Sequence, residues 1–274
     1  MSGPSHDPLL NARQTGYTRS GFGAQYHAYR PRPPAALIDA LVQLARVSRP
    51  GLVVDLGCGT GISTGIWAPR AERVIGIEPL DEMRKIAEAG NRASNVRFRP
   101  GVAQETGLPD GVADIVTCAQ SLHHAEPEST LAEIGRILRV GGVFAAYDYD
   151  VPPMVHWEAE LAFSMFMDRV QEIREQRGIR SEQQRWGKDE HAERMRNSGV
   201  FRHLDEILLH NTEPCTAERW IGFAMTIGTV LPVLDLGLSE SELGLTALRE
   251  VSERTLGDNG LPWHVRYHVR VGVK

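Results

Sequence analysis

Hydrophobic positions in this chain switch repeatedly between two periods, and the switches lay out most of its architecture. In "AALIDALVQLARV", Leu37, Ile38, Leu41, Val42 and Leu44 recur at the three-to-four spacing of an amphipathic helix. "LVVDLG" (52–57) is instead a short unbroken apolar run rich in β-branched residues, the pattern of a strand buried on both faces. A short helix "STGIWA" and a second strand "ERVIGIE" follow, then a helix "LDEMRKIAEAGN" with Asp81 near its start and Gly90 or Asn91 at its end. "NVRFRPG", "ADIVTCA" and "VFAAYDYD" predict the third, fourth and fifth strands. Before the fifth lies a helix, "STLAEIGRILRVGG". There Thr130 and Glu133 stand at capping-box spacing, Leu131, Ile134, Ile137 and Leu138 form the stripe, and Gly141 closes it. Strand and helix thus alternate from 52 to 150, as in a parallel sheet wrapped by helices.

After Pro152 and Pro153 the rhythm changes. Residues 154–200 read as helical and charged, with Phe163, Phe166, Met167, Val170 and Ile173 on one side. "VFRHLDEILLH" and "WHVRYHVRVGV" predict a sixth and a seventh strand. Between them lie the apolar "WIGFAMTIGTVLPVLDLGL" and a helix with Ser239 and Glu242 at capping-box spacing. Glycines, Pro232 and Asp235 interrupt the apolar stretch, so a buried or lid helix explains it better than a membrane span. The expected organisation is an N-terminal cap and first helix (1–48), an α/β core (49–150), a helical insertion acting as a lid (151–200), and C-terminal strands and helices (201–274) that complete sheet and pocket.

Composition changes this picture little. The 274 residues are 42% hydrophobic and 24% charged, ordinary for a globular protein, and long enough for one large domain or a core with an appendage. A net charge of −5 argues against an electrostatic nucleic-acid binder. Cys58, Cys118 and Cys215 are too scattered for a CxxC metal pair or a disulfide framework, which fits a reducing compartment. "MSGPSHDPLLNARQTG" has neither a basic start nor an apolar run, so no signal peptide is read. A cytoplasmic soluble protein, monomer or homodimer, without metal, is expected.

The chemistry begins at "VVDLGCGTGIST" (53–64). Gly57, Gly59 and Gly61 follow the first strand of the sheet, where positive φ and close ligand approach are wanted. A Walker loop needs Gly-Lys-Ser/Thr after its glycines, and no lysine occurs before Lys85. A dinucleotide loop needs a third glycine where Ile62 stands. Glu78 ends the second strand, 21 residues after Gly57, and suits ribose hydroxyls in an NAD or an adenosine site.

The ordered set "VVDLGCGTG … VIGIEP … MRKIA … VRFRPGVAQETGLPDGVADIV … AQSLHH … ILRVGG" resembles the class I S-adenosylmethionine-dependent methyltransferases over residues 50–150. "GFGAQYHAYRPRPP" and "AQSLHH" resemble more narrowly the trans-aconitate methyltransferase-like branch of small-molecule enzymes. The resemblance implies a Rossmann-like α/β fold, a seven-stranded, mostly parallel sheet with an antiparallel last strand. It implies S-adenosyl-L-methionine as cofactor and S-adenosyl-L-homocysteine as product. Asp55 would lie close to the amino group of the methionine moiety, and Gly57, Cys58, Gly59 and Gly61 would lay main chain against that moiety and the ribose. Glu78 would hold both ribose hydroxyls. Pro79 and Met83 would flank the adenine, with Val102, Ala103 and Gln104 closing on its edge. Many members carry Asp at the position of Val102 and an acid at that of Gln104. Tyr26 and Arg30 would fold over the cofactor, the guanidinium on its carboxylate.

Catalytic candidates cluster after the fourth and fifth strands. Gln120, His123 and His124 stand beside the expected methyl site, where an imidazole near its usual pKa of about 6.5 would serve as base. His123 equally suits a loop-orienting role. Alternation puts Tyr147 and Tyr149 on one face and Asp148 and Asp150 on the other, and one pair faces the substrate. Trp157, Phe163, Phe166, Trp220, Phe223 and Met225 would roof an apolar acceptor, or pack as core. Arg169, Arg219 and Arg266 leave room for an acidic one. The expectation is methyl transfer to a small molecule, at a carboxylate or hydroxyl oxygen. Its rivals are N-, C- or S-methylation in natural-product biosynthesis, a cyclase on the same fold, an NAD-dependent oxidoreductase, and a binding protein that kept the pocket.

Overall fold

A computed structural model describes residues 7–181 and 183–274. Residues 1–6, part of the stretch in which no signal peptide is read, lie outside them. The elements are α1 (Pro8–Arg13), α2 (Phe22–Tyr29), α3 (Ala35–Leu44), β1 (Val53–Leu56), α4 (Ile62–Gly65), β2 (Val74–Ile77), α5 (Asp81–Gly90), β3 (Val96–Arg99), β4 (Ala113–Ala119), α6 (Pro127–Ile137), β5 (Leu138–Tyr149), α7 (Trp157–Gln176), α8 (His191–Asn197), β6 (His203–Cys215), α9 (Ala217–Met225), α10 (Leu231–Leu234), α11 (Leu245–Thr255) and β7 (Leu261–Val273).

The seven strands form one sheet in the order β3-β2-β1-β4-β5-β7-β6. β1 to β5 pair in parallel, while β7 runs antiparallel to both β5 and β6. This is the Rossmann-like sheet with an antiparallel last strand that the motifs implied. The strand order reverses between β1 and β4, so a crevice opens at their carboxyl ends. All four residues of β1 are buried, as its unbroken apolar run required.

Helices cover both faces. One core joins α3, α7, α9 and α11 to one sheet face through Leu41, Phe163, Phe223 and Leu248. The other joins α6 and α8 to the opposite face through Leu131, Ile134 and Met195. Among the described residues no helix is long and apolar enough to cross a membrane.

Three local expectations change. α6 starts at Pro127, and its cap is Glu126, whose carboxylate accepts from the N–H groups of Glu128 and Ser129. Thr130 is therefore buried inside the helix, and Glu133 accepts instead from Thr106 N–H (2.8 Å) and Oγ1 (2.6 Å). Gly141 lies within β5 at φ +75°, not at the end of α6. Ser239 and Glu242 do make the reciprocal bonds of a capping box, but they close a turn ahead of α11, whose N-cap is Gly244. Spacing identified each pair or glycine; it could not identify the neighbour competing for the same groups.

Candidate active site

At the carboxyl ends of the parallel strands a cavity of about 1180 Å³, mouth included, opens beside the glycine loop. Backbone hydrogen bonds hold the loop's start: Gly57 N–H and Cys58 N–H both donate to Ile77 O, at 2.8 and 3.1 Å. Gly57, Cys58 and Gly59 line the cavity. Gly59 has φ +55°, and nothing but the Met83 methyl, 3.6 Å away, would meet a side chain there. Its N–H donates to Glu78 Oε2 at 2.8 Å, and Leu80 N–H donates to Oε1 at 2.9 Å. Loop and carboxylate are thus one hydrogen-bonded unit. Burial pushes the Glu78 carboxyl up to about 7, against the pull of those two N–H groups and Arg84.

Asp55 and Gly61 do not line the cavity. Asp55 is fully buried and accepts from Thr64 Oγ1 (2.7 Å) and Thr117 Oγ1 (2.8 Å), which fastens α4 and β4 to β1. Burial raises its carboxyl to about 6. A Cβ on Gly61 would come within 2.9 Å of Phe98 and 3.1 Å of Ala87, so this glycine serves close packing at the start of α4. Asp55 and Gly61 thus have structural contacts that the resemblance did not name.

Pro79, Leu80, Met83, Val102, Ala103 and Gln104 form one end of the cavity. Gln104 Nε2 is buried with no partner among the described residues. Gln120, held at φ +53°, also lines the cavity; its Oε1 accepts from Lys188 Nζ at 2.6 Å and its Nε2 is likewise unpartnered. Gln104 and Gln120 each thus carry a buried amide donor without a described partner on a residue of the cleft's wall.

The N-terminal segment supplies the opposite wall. Tyr26 and Arg30 line the cavity, with the guanidinium carbon 4.6 Å from the Tyr26 ring centre and 5.2 Å from that of Phe223. Arg30 donates to Tyr149 Oη (2.7 Å), Thr226 Oγ1 (3.2 Å) and Thr226 O. Each of these partners is neutral. Burial raises the phenol pKa values of Tyr26 and Tyr149, with Arg30 pulling the other way.

The two histidines part company. His123 is buried away from the cavity, its Nδ1 3.8 Å from Asp148, and its carbonyl accepts from Trp186 N–H. Burial and the neighbouring His124, Lys188 and Arg185 hold its pKa well below the ordinary value. His124 lines the cavity but is pushed down to about 3 by burial, then by Arg185 and Lys188. Neither imidazole is thus held near the ordinary 6.5, and only His124 reaches the cavity.

On β5 the tyrosines face the cavity and the carboxylates do not. Asp148 pairs with Lys188 (3.0 Å) and Arg270 (3.1 Å), and Asp150 with Arg266 and His268. Tyr147 contacts Ser63 Oγ through its hydroxyl. Sequence reasoning missed Tyr267, whose buried hydroxyl has no partner among the described residues, and Tyr17, Thr15 and Ser121. Alternation in "WHVRYHVRVGV" marks Tyr267 as inward-facing, but not which end of the strand meets the cleft. Phe163, Phe166, Trp220 and Phe223 are core side chains, Trp157 is exposed, and none of them lines the cavity. Arg219 and Arg266 are paired with Glu213 and Asp150, and Arg169 with Glu172, away from the cleft. Among the described residues there is no cluster of three or more His, Cys, Asp or Glu able to hold a metal.

The cavity thus sits at the switch point of a Rossmann-like sheet, lined by a glycine loop and by the Glu78 carboxylate bonded to it. Residues 54–146 match the family model described as a methyltransferase domain. CRG1 of Saccharomyces cerevisiae, described as a probable S-adenosylmethionine-dependent methyltransferase, is 32% identical over 155 residues, 54% of this chain and 53% of the yeast protein. The uncharacterized methyltransferase YcgJ of Bacillus subtilis is 28% identical over 119 residues, covering 42% of this chain and 47% of that one. The chain thus spans about half the length of these curated relatives. A solved structure from Anaeromyxobacter dehalogenans, described as a candidate type II methyltransferase, matches the fold with a TM-score of 0.63 at 24% identity, over 89% of this chain and 98% of that one.

Proposed function

We propose that the chain transfers a methyl group from S-adenosylmethionine to a small-molecule acceptor, at oxygen. The observation that carries the proposal is the Glu78–Gly59 unit: a carboxylate fixed by two backbone N–H groups beside an unencumbered glycine loop. Its remaining lone pairs suit the two ribose hydroxyls. Pro79 and Met83 flank the adenine, and Gln104 offers its unpartnered amide to the adenine edge with Val102 and Ala103. Arg30, cationic and surrounded by neutral partners, takes the methionine carboxylate. When bound, the cofactor supplies an activated methyl on its sulfonium.

The protein's own contribution is alignment and exclusion of water, which in favourable cases supplies about 7–11 kcal/mol. Tyr147, Tyr149 and Tyr267 present hydroxyls to the acceptor. Burial holds His124 down and the Tyr147, Tyr149 and Tyr267 phenols up, and Glu78, at about 7, is engaged by Gly59 and Leu80, which leaves these groups ill-placed to remove a proton. A carboxylate needs no such removal, so of the two oxygen acceptors we favour the carboxylate. The net charge of −5 supports a small molecule over nucleic acid. Incubation with labelled S-adenosylmethionine and a panel of carboxylic acids, phenols and amines, read by mass spectrometry, should yield alkali-labile methyl esters. Methylation confined to amines would sink the oxygen assignment.

A further inference from the structure

A second cavity, of about 1270 Å³ with its mouth, lies between the N-terminal segment, the chain following α7 and the residues before α10. Arg19, Arg174, Arg180 and Arg185 line it, against one acid among the described residues, Asp235. Asp235 is already paired with Arg19 at 2.9 Å. Among the described residues the Arg174 guanidinium donates only to the neutral Gln171, and that of Arg185 only to the neutral Gln183 Oε1 at 2.7 Å. Arg180 makes no hydrogen bond or ion pair with the described residues. Two donors on lining residues, Arg174 Nε and Thr229 Oγ1, are buried and unpartnered among the described residues. Elsewhere this acidic chain pairs arginine with carboxylate repeatedly, as in Arg136 with Glu133 and Asp110. Three guanidinium groups without a described counter-charge in one concavity are the complement of an oxyanion, which planar bidentate forks bind with directional bonds.

The cavity is also wired to the first. Thr15 lines both. Gln183, 7% exposed, accepts from Arg185 through Oε1 and sets Nε2 2.7 Å from His124 Nδ1, whose ring lines the cofactor cavity.

We propose that the arginine-lined cavity binds a compact, multiply charged oxyanion, a phosphate ester or a polycarboxylate, and that its occupancy is transmitted to the cofactor cavity through Gln183 and His124. An anion on Arg185 draws its Nε–H away from Gln183, and the Gln183 amide resets against His124. The positive field of Arg185, one cause of the low basicity of His124, is neutralised at the same time.

The test uses the full chain without cofactor, titrated calorimetrically with inorganic pyrophosphate and, separately, with citrate. One saturable site is expected, weakening with salt and weakening about tenfold or more in Arg180→Gln/Arg185→Gln. Both arginines are exposed, so that variant should keep its thermal midpoint. Binding of pyrophosphate alone identifies a phosphate ester, and of citrate alone a polycarboxylate. If neither anion binds at millimolar concentration, or the double variant binds as well as the parent, the site is overturned. With ¹⁵N-labelled histidine, the His124 ring resonances should move when the parent is saturated with anion and stay fixed when Gln183→Leu is brought to saturation at its own affinity. Unmoved resonances in a saturated parent would overturn the coupling. Because no cofactor is present, failure here leaves the methyltransferase proposal untouched, and the reverse also holds.

Discussion

Glu78 fixes the main chain of the loop at Gly59 and Leu80, and its own ionisation is tuned by that confinement. Because its pKa rises from the ordinary 4.5 to about 7, the unliganded fold binds this proton more tightly than the unfolded chain does. The group therefore favours folding below about 4.5, and that contribution is lost as the pH climbs through about 7. If the proposed ribose hydroxyls donate to the ionised form, S-adenosylhomocysteine affinity falls as pH drops below about 7, and binding near neutrality releases a proton. Calorimetry in buffers of different ionisation enthalpy reads that release, and Glu78→Gln should abolish it. Release that persists in the variant would move the linkage elsewhere. Asp55 makes a contrasting residue-scale case. Asp55→Ala leaves Thr64 and Thr117 hydroxyls without their buried acceptor, at about 1–3 kcal/mol each. Denaturant unfolding should show that loss, and a variant as stable as the parent would refute the fastening role.

At the scale of elements, the approach of α2 to α9 sets Tyr26 and Arg30 at the wall of the first cavity. Gly222 permits it: a Cβ there would lie 2.3–2.5 Å from ring atoms of Tyr29. Gly222→Ala must push α2 outward, costing about 1–3 kcal/mol of stability. Tyr26 and Arg30 ride on or just beyond that helix, so S-adenosylhomocysteine affinity should fall with it. Tyr29→Ala in the same chain should restore part of both. If Gly222→Ala alone is neutral in urea melts and in calorimetry, the packing account of the cap is wrong.

The elements themselves were largely legible, because each strand and helix carries its own period: "LVVDLG" and "AALIDALVQL" could hardly be exchanged. The face of β5 that opens on the cleft was not, since alternation pairs Tyr147 with Tyr149 without saying where the cleft lies. Nor could local pattern reveal that Glu133 serves Thr106 rather than a helix cap, a contact across 27 positions. The aromatic stripe of α7 and α9 had two readings, and burial against β7 decided for core: Trp220 and Trp263 pack with ring centres 6.1 Å apart.

Over the whole molecule, the sheet's switch point, the glycine loop and the N-terminal cap converge on one cavity, while the arginines gather in a second beside it. Asn11, 3% exposed, ties this assembly together. Its amide donates to the carbonyls of His124 (2.8 Å) and Gln184 (3.0 Å), and its Oδ1 accepts from Gln184 N–H (2.8 Å). This tie was hidden in the sequence, because its partners lie 113 and 173 positions away. The central claim remains that the first cavity is built for S-adenosylmethionine, and titration with S-adenosylhomocysteine in a calorimeter tests it most directly. The account predicts saturable one-to-one binding in the parent, not displaced by NADH, and weakened about tenfold or more in Glu78→Ala with the fold retained. No heat and no thermal stabilisation in the parent, or equal affinity in the variant, would contradict it.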